Sequence, residues 1–409
     1  MPLVGSLGDL LPLLNLGTVL TSRGHAVTVI APPPYEGLIT RTGLGFVALA
    51  DACSYAHSAS DKILLNTRYY GLFFRRHAVP WNLAIYKLLR DRKGTDMATV
   101  SPDRANLWAD LFANAEMRIA AVRIHIDLPI IEGVTVSARR LPDSCVQTKL
   151  TEQWQSQWRE GICRIGADVE SRCVRQSVES ASSSVPRLGS WPAWIGRAVY
   201  SGHPLAAYGF IPPPAHPGCR FVFSDPGWAG SHIVFIAGTD GTLNSWWDTF
   251  LEVSISLCNR LKAKGVILGE RRVITISPRS GLRFTQNVFV SLSDALRGAA
   301  LIVHHGGIGT AAAALRHGIP QLIVPRVFAQ PSNAEWMRRL GVAAVVAPRN
   351  YRLLNLLSSV EFLLTDRSVH RRTIELSRRA ETSADLNEVS SWVERVTGAE
   401  PPCRESHFA

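Results

Sequence analysis

The amino-acid sequence predicts an α/β protein whose two domains follow one another along the chain and face each other across a cleft. The chain has 409 residues, which suits two domains of about 200 residues, each with its own core. Strand-like and helix-like patterns alternate at the start of the chain and again in its second half. Between these regions, residues 210–218 contain four prolines within six positions, and neither a helix nor a central strand accommodates such a run.

The first fifty residues have the pattern of a parallel strand–helix–strand unit. Leu10–Ser22 carries its apolar residues at helical spacing, and Gly24 is placed to end that helix. Ala26–Ala31 has the composition of a buried strand, which three prolines at 32–34 end. A unit of this kind predicts a parallel sheet.

The strand that opens this unit is short in the sequence. Only Met1–Val4 precede the first glycine, Gly5, whereas the central strand of such a domain usually has about five residues. Two explanations stay open: the true start lies upstream of Met1, or the central strand is truncated. We expect the first.

The second half repeats the alternation. Its predicted strands are Ile233–Ala237, Val266–Leu268, Val288–Val290, Ala300–His304 and Gln321–Pro325. Its predicted helices are Trp246–Lys264, Thr310–His317 and a helical tail from Val360 onward, which ends with a helix at about Glu388–Val396. The predicted organisation is a first domain at 1–209, a linker at 210–218, a second domain at 219–386, and a final segment at 387–409 that packs back on the first domain.

Composition excludes several classes of protein. Apolar residues make up 46% and charged residues 19%, which is typical of a globular chain. No apolar stretch reaches the roughly 18 residues that cross a bilayer. Seven cysteines without a C-x-x-C pair predict reduced thiols in a cytoplasm, and neither a disulfide framework nor structural zinc.

The charge of the chain is basic but diffuse. A net charge of +11 suggests an acidic partner, yet no basic run exceeds two or three residues, which argues against a nucleic-acid partner. An anionic substrate remains compatible, as does a peripheral contact with a negatively charged membrane surface.

The region from about 135 to 200 is rich in tryptophan, serine and arginine, and two interpretations stay open. It forms amphipathic helices that line a substrate groove, or it forms an irregular surface layer with buried tryptophans. The tryptophans are Trp154, Trp158, Trp191 and Trp194.

The most informative segment is Leu301–Thr310, in which an apolar strand runs into a turn with three glycines and then into a helix. The N–H groups at a helix start have no partner within the helix, and the helix dipole favours negative charge there. Glycines let a phosphate approach the backbone. Thr310 adds a hydroxyl and His304 a ring N–H. The segment predicts a phosphate site; the alternative is a tight turn with a core histidine.

Two further glycine turns lie where a second and third strand would end. Gly5–Asp9 is one, although it lacks the spacing of a dinucleotide fingerprint. Gly238–Thr242 is the other. Ligands of open α/β sheets bind beyond the carboxyl ends of the strands, so we expect both turns to face the cleft.

Three segments together carry a resemblance to a known family. They are Gly5–Asp9 with Pro12 and Arg23–Thr28; Val234–Thr239; and the run from Phe289 to Pro348 with His304–Thr310, Gly318–Gln321, Gln330–Ala334 and Leu340–Val342. They are similar to the inverting, nucleotide-sugar-dependent glycosyltransferases with two Rossmann-like domains, the type-B fold. Within that family, the likeness is to rhamnosyltransferases, sterol glucosyltransferases and the enzymes that glycosylate antibiotics. It covers nearly the whole chain, most weakly between residues 50 and 210.

The resemblance implies a role for each motif of the second domain, which would bind the nucleotide sugar. The diphosphate would be held by residues of the three-glycine turn and one earlier threonine: His304, Gly306, Gly307, Gly309, Thr310 and Thr239. The base would pass Val290 and Leu292, and Gln330 would contact the sugar. The nucleotide sugar is a co-substrate, and no cofactor or metal ion is expected, because the sequence has no D-x-D cluster.

The first domain would bind the acceptor and supply the base. By resemblance, Asp9 takes the proton from the acceptor hydroxyl, and desolvation in a closed cleft would raise its pKa for this role. The alternative for Asp9 is a helix cap only. His125, on a predicted strand at Arg123–Asp127, either lines the acceptor side or is a core histidine.

One position departs from the family pattern. An acidic residue usually precedes the signature glutamine and binds two sugar hydroxyls, and here Ala329 stands there. Losing a charge-assisted hydrogen bond costs about 1.5–3 kcal/mol. Three explanations stay open. The donor sugar lacks the hydroxyl concerned, another group of the protein binds that hydroxyl, or the transfer activity is poor.

The leading hypothesis is an inverting transferase that moves a hexose or deoxyhexose from UDP or dTDP to a hydroxyl of an apolar acceptor, namely a lipid, a sterol or a polyketide-like molecule. A catalytically silent nucleotide-sugar-binding auxiliary protein is the first alternative. A sugar epimerase on the same fold is the second.

Overall fold

The structure is a computed structural model. It describes residues 1, 7–49, 232–238, 246–269, 272–277, 281–286, 291–326, 330–380 and 385–398. Between these, it also describes shorter stretches at 84–85, 88, 97–100, 121–125, 187–195, 199–200, 203–204, 206–207 and 209–211. The predicted Gly5–Ser6 turn, the predicted strand Val288–Val290 and most of the proline-rich linker lie outside the described residues.

Helices and strands alternate along the described chain. Up to residue 211 they are α1 (Leu7–Ser22), β1 (Thr28–Ala31), α2 (Glu36–Thr40), β2 (Gly45–Ala48), β3 (Met97–Val100), β4 (Ala121–His125), β5 (Arg187–Gly189), β6 (Val199–Tyr200), β7 (His203–Pro204) and β8 (Ala206–Ala207). The next are β9 (His232–Ile236), α3 (Trp247–Leu261), β10 (Lys264–Gly269), β11 (Arg272–Ser277), β12 (Gly281–Gln286), α4 (Leu292–Leu296) and β13 (Ala299–His304). The last are α5 (Ile308–Arg316), β14 (Gln321–Ile323), α6 (Gln330–Arg339), β15 (Ala343–Val345), α7 (Leu353–Thr365), α8 (Arg367–Ala380) and α9 (Leu386–Thr397).

The chain divides into two compact units. The first comprises Met1–Asp127, Pro142–Pro214 and Ser383–Ala409, and the second comprises Leu128–Leu141 and Ala215–Thr382. The C-terminal helix α9 therefore belongs to the first unit. None of the helices in the described part of the chain combines the length and the apolar composition that crossing a membrane requires.

Parallel strands form the sheets of the first unit. β1 pairs with β2, and a four-stranded sheet has the order β3-β4-β5-β8. The backbone of Met1 lies beside β1, where its carbonyl oxygen accepts a hydrogen bond of 2.9 Å from the Ile30 N–H. The strands β6 and β7 form a separate two-stranded antiparallel sheet.

Helix α1 begins at Leu7, three residues before the predicted start. Pro12 therefore lies inside the helix, where it has no N–H to donate to the Gly8 carbonyl. The predicted apolar face is confirmed, because Leu13, Leu16 and Leu20 are buried. This burial offsets the lost backbone hydrogen bond and explains why the helix continues through the proline.

The second unit is built on a seven-stranded sheet with the order β12-β11-β10-β9-β13-β14-β15. Five neighbouring strands of this sheet run parallel, namely β10, β9, β13, β14 and β15. The strands β11 and β12 form an antiparallel hairpin at the edge beside β10. The sequence did not predict this hairpin. Its inward residues, Ile274 and Ile276, alternate with period two, but over a stretch too short to stand out from the surrounding sequence.

Helices cover both faces of this sheet. In β9, Ile233 and Phe235 pack on one face against α3 and α7, whereas Val234 packs on the other face against α4 and α5. Successive side chains of a strand point to opposite faces, so a strand buried on both sides is apolar throughout. The sequence prediction of a buried strand at this position is confirmed.

Helix α9 is bound to the start of the chain by Glu394, which is 8% exposed. Its Oε2 and Oε1 accept hydrogen bonds from Arg23 Nη2 and Nε at 2.6 and 2.7 Å, and Oε1 also contacts His25 Nε2 at 2.9 Å. The Arg23 guanidinium, with a smaller contribution from His25, lowers the pKa of Glu394. A paired carboxylate thus joins two segments that are 371 residues apart.

Replacing Glu394 with Gln removes the charge and keeps the size of the side chain. We expect the free energy of unfolding at pH 7 to fall by about 1.5–3 kcal/mol, because a charge-assisted, bidentate pair is lost. A carboxyl group with a lowered pKa stabilises the fold above the pKa of the unfolded chain, about 4.3. The difference between the wild type and Glu394→Gln should therefore shrink as the pH falls below about 4, which urea denaturation at several pH values measures.

Glu375→Gln is the matched control. Glu375 pairs with Arg372 and Arg379 on the surface, and its side chain is 51% exposed, so we expect a change below about 1 kcal/mol. Equal losses in the two variants would contradict a special role for Glu394.

Candidate functional site

The turn between β13 and α5 presents the start of a helix at the carboxyl edge of the sheet. β13 ends at His304, and α5 begins at Ile308 and has nine residues. The first bond of the helix runs from the Ala311 N–H to the Gly307 carbonyl at 3.0 Å. The N–H groups of Ile308, Gly309 and Thr310 therefore have no carbonyl partner within the helix, and no side chain caps it at Gly307.

Glycine is required in this turn for a steric reason at Gly306. Its φ is +89°, and a Cβ there would lie 3.0 Å from both the Gln330 carbonyl oxygen and Ile323 Cγ2. At Gly309, by contrast, a Cβ would meet nothing within 4 Å, and the residue is exposed. The chain is thus tightly packed at Gly306, whereas the first turn of α5 is open at Gly309. This arrangement suits the approach of an anion to the helix start.

His304 lies in the core of the turn, and its role at the diphosphate stays a prediction. It is fully buried, and its Nδ1 accepts a hydrogen bond of 3.2 Å from the Gly306 N–H. The Nε2 must then carry the proton, and it donates to Gln321 Oε1 at 3.0 Å. Both ring nitrogens are therefore used within the fold. Burial, aided by the neighbouring His305, lowers the pKa of His304 to about 3, so the ring is neutral at physiological pH.

His305 lies on the other side of the turn. Its ring is perpendicular to that of His304, with centroids 6.3 Å apart and an interplanar angle of 88°. It is partly buried and packs between Gly238, which follows β9, and Gly307. A Cβ at Gly307 would lie 2.5 Å from His305 Nε2, so this nitrogen is next to the residue that caps α5.

Helix α6 contributes two buried amide side chains at the turn between β13 and α5. Asn333, which is 1% exposed, donates from Nδ2 to the Gly306 carbonyl oxygen at 3.1 Å. Gln330, at the first position of α6, is 9% exposed, and its Oε1 accepts from the Arg326 N–H at 2.9 Å. The Arg326 guanidinium lies over the Trp246 ring, 5.2 Å from its centroid.

Gln321 and Asn333 have no role predicted from the sequence, although both lie within the motifs named above. Each is a buried amide that completes the hydrogen bonds of the turn. The signal that could have found them is their type: a polar amide between apolar neighbours in a strand or helix, which needs a partner when buried.

The structure brings six of the predicted site residues together in the second unit: His304, Gly306, Gly307, Gly309, Thr310 and Gln330. Leu292, which was predicted to lie beside the nucleotide base, is the first residue of α4. It is partly buried and packs against the core cluster between the sheet and helices α4 and α5. Thr239, Val290 and Ala329 lie outside the described residues. In the first unit, Asp9 is in the first turn of α1, and His125 is the last residue of β4.

The chain is similar to known proteins in sequence and in fold. Residues 277–395 match the family described as erythromycin biosynthesis protein CIII-like, C-terminal domain. The O-mycaminosyltylonolide 6-deoxyallosyltransferase of Streptomyces fradiae is 25% identical over 98% of each chain.

Two solved structures are similar in fold. The glycotransferase of kitacinnamycin has a TM-score of 0.67 at 20% identity, over 97% of each chain. The spinosyn rhamnosyltransferase SpnG, complexed with thymidine diphosphate, has a TM-score of 0.62 at 18% identity, over 96% of this chain and 98% of that chain. The predicted fold class, two Rossmann-like α/β domains of the type-B fold, is confirmed; the cleft between them stays a prediction.

Gly306→Ala tests the geometry of the turn. We expect it to lower the free energy of unfolding by about 1–3 kcal/mol, because alanine is strained at positive φ and its Cβ would press on the Gln330 carbonyl. Gly309→Ala is the control, since its Cβ enters open space within a helix and should not destabilise. Chemical denaturation of both variants measures the difference, and a neutral Gly306→Ala would contradict the turn as described.

Proposed function

We propose that this nucleotide-sugar glycosyltransferase of the type-B fold transfers a deoxyhexose from a dTDP-sugar to a hydroxyl group of an apolar, polyketide-like acceptor, with inversion at the anomeric carbon. The observation that carries the proposal is the open, glycine-lined start of α5. It offers several backbone N–H groups to a diphosphate at the carboxyl edge of a parallel sheet, where such folds bind ligands.

The chemistry follows from how charge moves during transfer. The bond between the anomeric carbon and the diphosphate oxygen breaks, and the leaving diphosphate gains negative charge. Fixed N–H dipoles at the start of α5 stabilise that charge without having to reorganise. They do so without a metal ion, and we propose that none takes part.

The choice of donor and acceptor is supported by relatives. The similar Streptomyces fradiae protein is named a 6-deoxyallosyltransferase of O-mycaminosyltylonolide, and the similar spinosyn rhamnosyltransferase was solved with thymidine diphosphate. Each name pairs a 6-deoxyhexose, either 6-deoxyallose or rhamnose, with its acceptor, O-mycaminosyltylonolide or spinosyn. We extend this to the present chain, and UDP is the alternative nucleotide.

Asp9 is the proposed general base. The acceptor oxygen attacks the anomeric carbon from the face opposite the diphosphate, and its proton passes to the Asp9 carboxylate. Asp9 lies in the first turn of α1. A general base must be ionised before it accepts a proton, and an aspartate with an ordinary pKa is ionised at neutral pH.

The remaining roles belong to the same proposal. Thr239 and Thr310 add hydroxyl donors for the diphosphate, and the backbone near Val290 and Leu292 passes the base. Gln330 contacts the sugar beside Ala329. His125 lines the acceptor side. An alanine at 329 favours a donor that lacks the hydroxyl usually bound at that position, which is a further reason to propose a deoxyhexose.

Donor binding is tested first. We expect dTDP to raise the melting temperature of the purified protein more than UDP or GDP does, since a ligand at a hundred times its Kd stabilises by about 2.7 kcal/mol. Incubation with a dTDP-deoxyhexose and a macrolide aglycone should then yield the glycoside. Stabilisation without transfer or hydrolysis would instead indicate a silent binding protein, and no stabilisation by any nucleotide would overturn the proposal.

Asp9→Asn tests the base. We expect the transfer rate to fall by about 10²–10⁴-fold, because proton abstraction is lost, while the affinity for dTDP stays unchanged. Asp248→Asn is the matched control, as Asp248 also lies in the first turn of a helix, α3, and should not affect transfer. Full turnover in Asp9→Asn would show that another group is the base.

A further inference from the structure

We infer that the exposed face of helix α8 binds an anionic membrane surface through a stripe formed by Arg367, Arg371 and Arg378, the arginine stripe. The contact lies outside the candidate functional site and does not depend on the proposed function. In the sequence the positive charge of the chain is diffuse, but the turns of α8 gather part of it on one face.

Helical spacing aligns the three arginines of the stripe. Arg371 follows Arg367 by four residues, and Arg378 follows Arg371 by seven. This spacing places them within about 60° of one another around the helix axis and spreads them over about 16 Å along it. All three are exposed. The opposite face of α8 packs on the protein, where its buried residues are Val369, Thr373, Leu376 and Ala380.

No carboxylate of this segment neutralises the arginine stripe. In the described part of the chain, none of its three guanidinium groups forms an ion pair. Glu375 pairs instead with Arg372 at 2.7 Å and with Arg379 at 4.0 Å. Asp366 caps α8, accepting backbone N–H groups of its first turn at 2.8 and 3.0 Å. The stripe therefore presents three unpaired positive charges to the solvent.

Two of the three charges weaken the helix that carries them. Arg367 is the first residue of α8, where the helix dipole disfavours positive charge. Arg371 lies four residues further on, and like charges at this spacing destabilise a helix. Only Arg378, in the last turn, suits the dipole. Charges that weaken their own helix and form no ion pair in the described chain point to a binding partner outside it.

An exposed isoleucine lies within the arginine stripe. Ile374, between Arg371 and Arg378, is 50% exposed. These three residues, with Glu375 and Arg379, line an open surface depression of about 640 Å³. An apolar side chain flanked by guanidinium groups fits the boundary between lipid headgroups and acyl chains.

The composition of this face favours lipid over a protein or a nucleic acid. The core of a protein interface is rich in aromatic residues and methionine, and a single-stranded nucleic acid stacks its bases on aromatic side chains. Helix α8 contains no phenylalanine, tyrosine, tryptophan or methionine. Anionic headgroups need only positive charge, and each arginine near such a surface strengthens binding about fivefold.

Vesicle binding tests the inference. The full-length chain is mixed with vesicles of phosphatidylcholine alone, or of phosphatidylcholine and phosphatidylglycerol in equal parts, and the bound fraction is measured by flotation. We expect binding to the anionic vesicles only, with an affinity that falls as the salt concentration rises. Equal binding to both kinds of vesicle, or binding to neither, would overturn the inference.

The double variant Arg371→Gln/Arg378→Gln removes two charges of the stripe. We expect its affinity for anionic vesicles to fall about 30-fold, while its affinity for dTDP stays unchanged and its melting temperature does not fall. Arg338→Gln/Arg339→Gln is the matched control. It lowers the net charge equally, but on α6, where both arginines pair with Glu335, and it should bind vesicles as the wild type does. Equal losses in the two variants would show that net charge, and not the face of α8, drives binding.

Ile374→Ser tests the apolar part of the contact. We expect a fall of about two- to fivefold in the affinity for anionic vesicles, because less apolar surface is buried on binding. The factor should stay the same as the salt concentration changes, since no charge is removed. An affinity equal to that of the wild type would overturn the insertion of Ile374 among the headgroups.

Poly-L-glutamate separates a lipid surface from an acidic protein partner. A stripe-dependent affinity for this soluble polymer, without affinity for anionic vesicles, would indicate an acidic protein and overturn the assignment to lipid. A chain that binds anionic vesicles through α8 but binds no nucleotide would overturn the proposed function and leave this inference standing.

Discussion

The site depends on one residue, Gly306, whose backbone N–H and carbonyl groups are both hydrogen-bonded from inside the fold. The N–H of Gly306 donates to His304, and its carbonyl accepts from Asn333. Together with a φ of +89°, these bonds set the direction in which the chain leaves β13 and enters α5. Because a helix presents its N–H groups along its axis, this one turn decides where those donors point.

A buried neutral histidine is well suited to that task. His304 must accept from one neighbour and donate to another, and only the neutral imidazole does both. Burial, which lowers the pKa of His304 to about 3, keeps the ring in this form over the physiological range. The price is a buried polar group, which Gln321 satisfies. The pair therefore gives the turn rigidity without placing a charge in the core.

In the first unit, a buried and hydrogen-bonded polar side chain likewise joins the N-terminal region to the C-terminal helix α9. Glu394 on α9 is almost fully buried and is bound by Arg23 and His25. In the sequence, Arg23 and His25 stand out only as part of a motif that resembles the family. The fold explains why these two residues are present. Helix α9 lies far along the chain but belongs to the first unit, and the bidentate pair between Arg23 and Glu394 fixes where it packs.

The strands β9 and β13, the helices α3 and α5 and the three-glycine turn could all be predicted from the sequence alone. The reason is that the spacing of apolar residues and the positions of glycines are local properties of the chain. The sequence also indicated the type-B fold. Only the tertiary structure decided that His304 lies in the core with both ring nitrogens hydrogen-bonded, that Gln321 and Asn333 support the turn, and that Glu394 meets Arg23. The two adjacent histidines are equivalent in a sequence pattern. They differ only once the neighbouring strands and helices are in place, because His304 then hydrogen-bonds to Gly306 and Gln321, whereas the His305 ring packs against Gly238 and Gly307.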